Sequence, residues 1–254
     1  MTRQAREKSR SGVYHVMLRG INKQTIFEDD EDKRRFLKTL LKYKEEMNFE
    51  IYGYCLMDNH VHLLLKENEF PVSEIIKRIS ASYVYWYNTK YERCGHLFQE
   101  RFKSETVENA STFLRVLRYI HQNPLKAGIV TDVFFSEWTS IHEYLHNNSL
   151  LSTSGVLQLF SKDKSNALRL FKEYMYQTND QEQFLEETRS VQKTDQEVLA
   201  CIRATGIAST SMLQKMEKEQ RNAILGQLKQ IEGISARQIA RVTGISRSVV
   251  QRVK

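Results

Sequence analysis

The sequence predicts an α+β fold, in which a ferredoxin-like antiparallel sheet with helices on one face is followed by an all-α C-terminal region. Three observations predict it. Strand and helix patterns follow the order β-α-β-β-α-β up to Val107. A hairpin pattern over residues 49–66 joins the second and third strands. Between Leu157 and Thr205 there is neither glycine nor proline, and residues 167–175 have helical spacing.

The first strand and the first helix begin the pattern. Val13 to Arg19 alternates as a strand that ends at Gly20. Residues 29–47 form a predicted helix, whose first turn is rich in Asp and Glu, where the helix dipole favours negative charge. Its apolar residues recur at helical spacing: Phe36, Leu37, Leu40, Leu41 and Tyr43. They predict an amphipathic helix that covers a sheet.

A second helix and a last strand complete the predicted sheet domain. Pro71 opens a helix that runs to about Tyr91. Its core face is formed by Ile75, Ile76, Ile79, Tyr83, Trp86 and Tyr87. Tyr85 and Tyr91 lie off this face, either as base-stacking residues or as ordinary exposed tyrosines. A loop from Gly95 then leads into a strand that ends at Val107.

The hairpin carries two histidines separated by one residue. Its strands run from Phe49 to Met57 and from His60 to Lys66, joined by the two-residue turn Asp58-Asn59. Because successive strand side chains point to opposite faces, His60 and His62 share a face. Neutral imidazoles are common ligands of divalent metals, so the spacing suits one ion bound by both rings. A pair of half-exposed strand histidines without a metal is the alternative.

A third helix brings a phenol and an amide to one flank. Residues 109–123 form a helix that Pro124 is expected to terminate, with a buried face of Phe113, Val116, Leu117 and Ile120. Tyr119 and Asn123 lie four residues apart on the same flank, with Arg115 close by and Arg118 turned further away. A boundary tyrosine and a helix-ending asparagine would give the same pattern.

Four ordered blocks of sequence resemble the HUH single-tyrosine transposases, in particular the branch called REP-associated tyrosine transposases. The blocks include His60-Val61-His62, the stretch Tyr119-Ile-His-Gln-Asn-Pro-Leu-Lys-Ala-Gly-Ile129, and Gly95-His-Leu-Phe-Gln-Glu-Arg-Phe-Lys-Ser104. The resemblance covers about residues 10 to 148. It is more specific than the histidine pair alone, because the blocks occur in the order in which that branch carries them.

The resemblance implies a nuclease domain that binds single-stranded DNA and cuts it with a tyrosine. His60 and His62 match the metal-binding pair, and Tyr119 matches the nucleophile. Asn123 matches a third, amide-bearing ligand, although some relatives have glutamine there, which leaves Gln122 open as an alternative. Magnesium is the expected physiological ion, whereas two imidazoles suit manganese better than magnesium's preference for oxygen.

The C-terminal tail has the pattern of a helix-turn-helix at residues 236–253. Ile239 and Ala240 belong to a first short helix, Gly244 permits a tight turn, and Ser246 is placed to cap a second helix. Residues 235–254 contain five basic residues and no acidic one, which suits a surface that faces phosphates. Compact relatives end soon after the nuclease domain, so we expect an added anchor for duplex DNA. A plain helical hairpin in a basic tail is the alternative.

The charge and the cysteine content agree with an intracellular DNA-binding protein. The net charge is +7 and the isoelectric point is near 9.2, which favours a polyanionic partner. The three cysteines are widely spaced and are expected to be unpaired thiols. No apolar run is long enough to span a membrane and no secretory signal is present at the start, so a cytoplasmic location and no membrane partner are expected. The predicted DNA-binding residues are Arg3, Arg10, Arg101, Lys103, Arg115, Arg237, Arg241, Arg247, Gln251 and Arg252.

The predicted organisation has three parts. Residues 1–148 form the nuclease domain, residues 149–194 a helical connector or linker, and residues 195–254 a helical domain with the helix-turn-helix. The predicted function is a metal-dependent endonuclease and strand transferase that acts through a 5′-phosphotyrosine on hairpin-forming repeat DNA. A DNA-binding regulator that keeps the fold without cutting is the alternative. A monomer and a homodimer that exchanges active-site helices both stay open.

Overall fold

The computed structural model describes residues 6–99, 101–146, 150–178, 184–185, 195–207, 210–231 and 233–253. The chain forms two compact units, Met1–Leu185 and Glu186–Lys254. None of the described helices is both long enough and apolar enough to cross a membrane. Cys55, Cys94 and Cys201 are free thiols, as predicted.

The first unit is built on a four-stranded antiparallel sheet. Its strands are β1 (Val13–Arg19), β2 (Glu50–Met57), β3 (His60–Lys66) and β4 (Lys103–Thr106), in the order β2-β3-β1-β4. This order confirms the ferredoxin-like prediction, because the central pair β3-β1 separates β2 from β4. Across this pair, Met17 lies opposite His62 and Arg19 lies opposite His60. The register thus places parts of β1 beside the histidine pair.

The described residues of the first unit form six helices. They are α1 (Asp30–Met47), α2 (Val72–Lys90), α3 (Ala110–Lys126), α4 (Ile141–His146), α5 (Thr153–Gln158) and α6 (Lys164–Tyr176), with short 3₁₀ turns at Ile21–Lys23 and Val133–Phe135. Helix α1 starts at a capping box, in which the Asp29 side chain accepts a hydrogen bond from the Asp32 backbone N–H and the Asp32 side chain accepts one from the Asp29 backbone. The predicted acidic first turn therefore fixes where the helix begins.

Helices α1 and α2 pack against each other through aromatic rings. The rings of Phe36 and Tyr83 meet edge to face at 5.3 Å, and the Tyr83 hydroxyl donates a hydrogen bond to the Ile26 carbonyl. The Tyr91 hydroxyl donates to the buried Asp32 carboxylate at 2.9 Å, which gives this residue a structural contact. Tyr85 is 78% exposed, so it is the one of the two that stays open to a stacking partner.

Helix α3 packs on the face of the sheet that carries the histidines. A Cβ atom at Gly53 of β2 would lie 2.8 Å from Leu117 Cδ1, so glycine permits this close approach. The prediction that Pro124 terminates the helix is wrong. The helix continues to Lys126, because a proline in the last turn removes only its own N–H, while Ala127 still donates to Asn123 and Ile129 still donates to Pro124. This continuation puts Lys126 on the same helix as Tyr119.

Helices α5 and α6 belong to the first unit, which therefore extends past the predicted end at residue 148 and takes in part of the predicted connector 149–194. Phe171 of α6 is fully buried and stacks on Tyr144 at 4.7 Å. Gln122 of α3 donates to the carbonyls of Met175 and Gln177. The apolar and amide groups of α3 and α4 need these partners, which explains why the boundary lies further along the chain.

The second unit contains helices α7 (Asp195–Ala204), α8 (Thr210–Lys215), α9 (Lys218–Gln230), α10 (Ala236–Thr243) and α11 (Arg247–Arg252). Its separate core is formed by Val198, Ile202, Ile207, Leu213, Leu225, Leu228, Ile234, Ile239, Ile245 and Val250. Gly244 joins α10 to α11 with a φ of +70°, in the left-handed region that favours glycine. The two helices and the turn occupy the predicted positions, and DNA binding by them stays a prediction.

One detail of the predicted tail is wrong. Ser246 stands at the N-cap of α11, but its side chain makes no cap hydrogen bond. Its hydroxyl instead hydrogen-bonds the Ser248 hydroxyl, at 3.2 Å. The working cap is at the start of α10, where Ser235 accepts a hydrogen bond from the Gln238 backbone N–H.

Candidate active site

The four residues predicted for the site come together between β3 and α3. The rings of His60 and His62 lie 5.0 Å apart at 86°, and the Tyr119 ring lies 5.5 Å from the His62 ring. The Asn123 side chain lies close to the His60 ring, one turn beyond Tyr119. Residues that are 57 to 63 positions apart in the sequence therefore form one cluster, which is the arrangement that the family resemblance implied.

The hydrogen bonds of the two histidines leave the same ring nitrogen of each for another partner. His60 Nδ1 lies 2.6 Å from Asn59 Oδ1, so it carries the proton and donates to that carbonyl oxygen. His62 Nδ1 lies 2.9 Å from Nε2 of a third histidine, His15. Both Nδ1 atoms are thus engaged. Hydrogen bonds at Nδ1 are the usual means of orienting Nε2 toward a metal.

The donor set fits a divalent metal. It consists of the two imidazole nitrogens and the amide oxygen of Asn123; the amide Nδ2, which does not bind a metal, is buried without a hydrogen-bond partner among the described residues. Nitrogen and amide oxygen together suit manganese better than magnesium. The described part of the chain contains no group of three or more His, Cys, Asp or Glu side chains that could hold a metal. An ion here would therefore need the amide as its third protein ligand.

Burial keeps the histidines of the site neutral. Burial, followed by the positive charge of Arg19, lowers the pKa of His60 to about 4. Burial also lowers the pKa of His62 well below its usual value, with further contributions from His15, His60 and Arg19. The pKa of the fully buried His15 is lowered mainly by the same desolvation. Neutral imidazole is the form that binds a metal, so the site is ready for one at neutral pH.

Arg19 is a site residue that the sequence analysis treated only as the end of a strand. It lies directly opposite His60 in the β1-β3 pairing, and its charge lowers the pKa of both histidines of the pair. A guanidinium beside a metal site is well placed to bind a phosphate oxygen. The alternation His15, Met17, Arg19 on β1 is the signal that could have indicated a shared face.

Tyr119 is buried beneath two other side chains. Its exposed fraction is 1%, and the Phe184 ring contacts it at 5.4 Å. The Lys126 ammonium lies 5.1 Å from the centroid of the Tyr119 ring. Arg115, the predicted neighbouring cation, lies 5.8 Å from the Phe184 ring. Lys126 was missed by the sequence analysis because the helix was expected to end before it.

Two of the predicted DNA-binding residues line a cavity of about 450 Å³ beside the site. Arg101 and Lys103 are exposed there, and the half-buried Arg6 lines the same cavity. Arg6 donates a hydrogen bond to the Phe102 carbonyl and stacks on the Phe102 ring, while burial and the charge of Arg101 lower its pKa. The cavity also reaches Glu105 and Leu185. This arrangement forms a basic cleft, to which the sequence analysis did not assign Arg6.

The remaining predicted DNA-binding residues are distributed over both units. Arg10 is exposed near the start of β1, and Arg3 lies outside the described residues. In the second unit, Arg237, Arg241, Arg247, Gln251 and Arg252 are all exposed. Arg241 forms an ion pair with Asp195 at 2.6 Å, which occupies part of its charge.

A four-stranded antiparallel sheet that presents a histidine pair to a helix-borne tyrosine is the arrangement expected of the tyrosine transposases that the sequence resembles. Residues 8–123 match the family described as "Transposase IS200 like". The match covers 116 of the 254 residues, so this part of the chain is similar to the IS200-like transposases, and the likeness supports a transposase-like function on DNA.

Two solved structures are similar to the chain. One is a REP-associated tyrosine transposase bound to a REP hairpin, with 18% identity and a TM-score of 0.50 over 60% of this chain and 90% of that one. The other is a transposase structure from Deinococcus radiodurans R1, with 16% identity and a TM-score of 0.34 over 48% of this chain and 97% of that one. The first likeness shows a shared fold. None of the curated proteins matches the chain.

Proposed function

We propose that the first unit is a metal-dependent single-stranded DNA endonuclease and strand transferase with Tyr119 as its nucleophile. One observation carries the proposal. The Tyr119 ring lies 5.5 Å from the ring of His62, the His62 ring lies 5.0 Å from the His60 ring, and the Asn123 side chain lies close to His60. A nucleophile beside a nitrogen and amide donor set is the arrangement that phosphoryl transfer requires.

The proposed reaction exchanges one phosphodiester bond for another. The Tyr119 hydroxyl oxygen forms a bond to the phosphorus atom and gives up its proton. The bond from phosphorus to the 3′ oxygen breaks, and that oxygen takes up a proton to become a free 3′ hydroxyl. The products are a 5′-phosphotyrosyl link and a free strand end. Because the ester bond is preserved, a second 3′ hydroxyl can reverse the step and join a new strand.

A divalent ion, when bound by His60, His62 and Asn123, supplies charge that stabilises the phosphate oxygens in the transition state. Magnesium and manganese are the two candidates, and the donor set suits manganese better. The chain's own cations complete the site. Arg19 is placed to bind a non-bridging phosphate oxygen, and Lys126 is placed to favour the ionised form of Tyr119. A phenol needs such help, because its ordinary pKa is about 10.

The DNA would leave the site along the basic cleft of Arg6, Arg101 and Lys103. The cleft shares Glu105 and Leu185 with the surroundings of the site, so a backbone bound there would pass close to the nucleophile. Arg10 and Arg115 are exposed and would add phosphate contacts. Hairpin-forming repeat DNA is the proposed substrate class, supported by the hairpin bound to the solved REP-associated transposase.

The second unit would anchor the protein to duplex DNA through α10 and α11. Arg237, Arg247, Gln251 and Arg252 are exposed on this helix pair, and its sequence from 235 to 254 contains no acidic residue. A short helix pair with exposed arginines and an amide suits phosphate and base-edge contacts in the major groove.

The alternative is a DNA-binding regulator that keeps the fold and does not cut. Loss of the nucleophile or of a metal ligand would favour it. The structure brings Tyr119, His60, His62 and Asn123 into one cluster, which favours the enzyme.

Incubation with a labelled hairpin oligonucleotide and Mn²⁺ tests the proposal. We expect a shorter DNA fragment and a covalent protein-DNA adduct that survives denaturation. Tyr119→Phe should abolish both and still bind the hairpin, because it removes only the hydroxyl. Hairpin binding with no adduct in the wild-type protein, under Mn²⁺ or Mg²⁺, would favour the regulator instead.

A further inference from the structure

We propose that His15 and Glu105 are positioning residues that fix the tautomer of His62, so that its Nε2 carries a lone pair for the metal. The inference rests on the proposed function, since it concerns the same site. His15 lies on β1 and Glu105 on β4, and the two residues are direct partners in the β1-β4 pairing. His15 also stacks on His62, with ring centroids 5.1 Å apart.

The contact between the two histidines involves one proton and two ring nitrogens. His15 Nε2 lies 2.9 Å from His62 Nδ1, and both side chains are buried, at 0% and 1% exposure. One nitrogen must donate and the other must accept. If His15 donates, the proton of neutral His62 is on Nε2 and this ring cannot bind a metal through that atom. If His62 donates, its Nε2 is free of a proton.

Glu105 decides between these two arrangements. Neutral His15 has one ring proton, which is either on Nε2 or on Nδ1. Its Nδ1 lies 3.7 Å from the Glu105 carboxylate and has no hydrogen-bond partner among the described residues. A carboxylate only accepts hydrogen bonds, so its charge attracts an N–H group and repels a lone pair. It therefore favours a proton on His15 Nδ1, which leaves Nε2 as the acceptor for His62.

The position of Glu105 is itself fixed. Its second oxygen accepts a hydrogen bond from the Leu185 backbone N–H at 3.0 Å, and its side chain is 42% exposed. The separation of 3.7 Å between His15 Nδ1 and the Glu105 carboxylate is longer than a hydrogen bond but within the range of an ion pair. A small rotation of the Glu105 side chain would bring the two groups within hydrogen-bond distance. A row of groups thus runs from Glu105 through His15 to His62. Removal of an acceptor that orients a metal-bound histidine in this way commonly lowers the metal affinity by about 10- to 100-fold.

A buried core histidine with no role in the site is the competing explanation for His15. It predicts that only packing matters at this position. His15→Phe keeps a flat ring and removes the acceptor, whereas His15→Gln keeps an oxygen that can stand near the position of Nε2. The positioning role therefore predicts a loss in the first variant and a partial rescue in the second.

The test measures metal binding and the tautomer without relying on cleavage. Titration of the full-length protein with Mn²⁺, followed by the electron paramagnetic resonance of the free ion, gives the affinity. We expect a loss of roughly 10- to 100-fold for His15→Phe, a smaller loss for His15→Gln, and an intermediate loss for Glu105→Gln. Glu108→Gln, at an acid that accepts hydrogen bonds from the Arg10 and Ser11 backbone, is the matched control and should bind like the wild type.

The nitrogen-15 resonances of His62 in the metal-free wild-type protein give an independent readout that does not depend on any variant folding. A proton on Nδ1 supports the proposal, whereas a proton on Nε2 would overturn it. Wild-type Mn²⁺ affinity in folded His15→Phe would also overturn it. The DNA adduct is scored separately. An adduct with unchanged metal binding in His15→Phe contradicts only this inference, whereas weakened metal binding with no adduct in the wild type contradicts only the proposed nuclease function.

Discussion

The ammonium of Lys126 lies 5.1 Å from the centroid of the Tyr119 ring. The two residues are seven positions apart, about two helical turns, and share a flank of α3 because the helix continues through Pro124. Lys126 is exposed, whereas Tyr119 is buried. In the proposed reaction this cation is the nearby positive charge that assists the nucleophile, so the continuation of the helix through Pro124 bears on the proposed chemistry.

Replacement of Lys126 by methionine should slow DNA cleavage by about tenfold, because one nearby positive charge shifts the ionisation of a phenol by about one pKa unit. The pH at which cleavage reaches half its maximum should move upward by a similar amount. Single-turnover cleavage of a labelled hairpin across a pH series measures both. Lys126→Arg, which keeps the charge, is the control and should retain most of the rate. An unchanged rate and pH profile in Lys126→Met would contradict this role.

The close approach of α3 to the sheet gives a second prediction. Gly53→Ala should lower the free energy of unfolding by about 1–3 kcal/mol, since overpacking of a filled core costs that much. The added Cβ would lie 2.8 Å from Leu117 Cδ1, which is fully buried and has little room to move. Urea unfolding followed by circular dichroism measures the loss.

Leu117→Val provides the matched test of that cause. It shortens the side chain that the new methyl group meets, so the double variant should be more stable than the sum of the two single changes predicts. Additive losses in the double variant would show that the contact with Leu117 is not the source. Cleavage should fall together with stability, because the same helix carries Tyr119 and Asn123.

Alternation along single strands and helices was enough to predict β1, the β2-β3 hairpin, the shared face of His60 and His62, and the shared flank of Tyr119 and Asn123, whereas the association of the histidine pair with Tyr119 came from the family resemblance. These patterns are local, and each fixes which side chains share a face. His15 was missed as a site residue because its role depends on how β1 pairs with β3 and β4. The two residues that it meets there, His62 and Glu105, lie 47 and 90 positions further along the sequence. No local pattern fixes that register.

The prediction that the third helix ends at Pro124 was wrong for a different reason. The rule that proline ends a helix concerns a lost N–H and a clash with the preceding turn, and it weakens in the last turn, where later N–H groups still find carbonyl partners. The first unit extends past residue 148 because α5 and α6, which have ordinary helical patterns, have buried partners on α3 and α4.

Acidification should destabilise the protein through its buried histidines, with His121 as the clearest case. Burial lowers the pKa of His121 to about 3, against an ordinary value of 6.5, and the ring hydrogen-bonds the Ser140 hydroxyl at 2.8 Å. Below pH 6.5 the unfolded chain binds a proton that the folded protein excludes, so stability falls as the pH falls from 6.5 toward 3. The contribution of one such group between pH 7 and pH 5 is about 2 kcal/mol.

Unfolding in urea at pH 7, 6 and 5 measures this effect. His121→Gln keeps a hydrogen-bonding side chain and should lose less stability between pH 7 and pH 5 than the wild type does, even if it is less stable at pH 7. His96→Gln, which changes an exposed histidine, is the control and should keep the wild-type dependence. If the free energy of unfolding of His121→Gln depends on pH as that of the wild type does, other groups control the loss of stability at low pH.

The exposed arginines of α11 give the prediction for the second unit. Truncation after Gln230 is a poor test, because it also removes Ile239, Ile245 and Val250 from the core of this unit. Arg247→Gln leaves that core intact. If α10 and α11 bind duplex DNA, this variant should weaken binding to a long duplex and lower the slope of log affinity against log salt by about one. Fluorescence anisotropy at several salt concentrations measures both quantities.

Arg241→Gln removes an equal charge from a residue that is already paired with Asp195 at 2.6 Å, so its effect on the salt slope should be smaller. Gly244→Val should weaken duplex binding more than Arg247→Gln or Arg241→Gln does. A branched side chain is strained at a φ of +70°, and its Cβ would lie 2.5 Å from the Gln214 amide nitrogen. Cleavage of short hairpins should survive all three changes, because the residues of the proposed nuclease lie in the first unit. Equal affinity and an equal salt slope in the wild type, Arg247→Gln and Gly244→Val would mean that this helix pair serves packing or oligomerisation and does not bind duplex DNA.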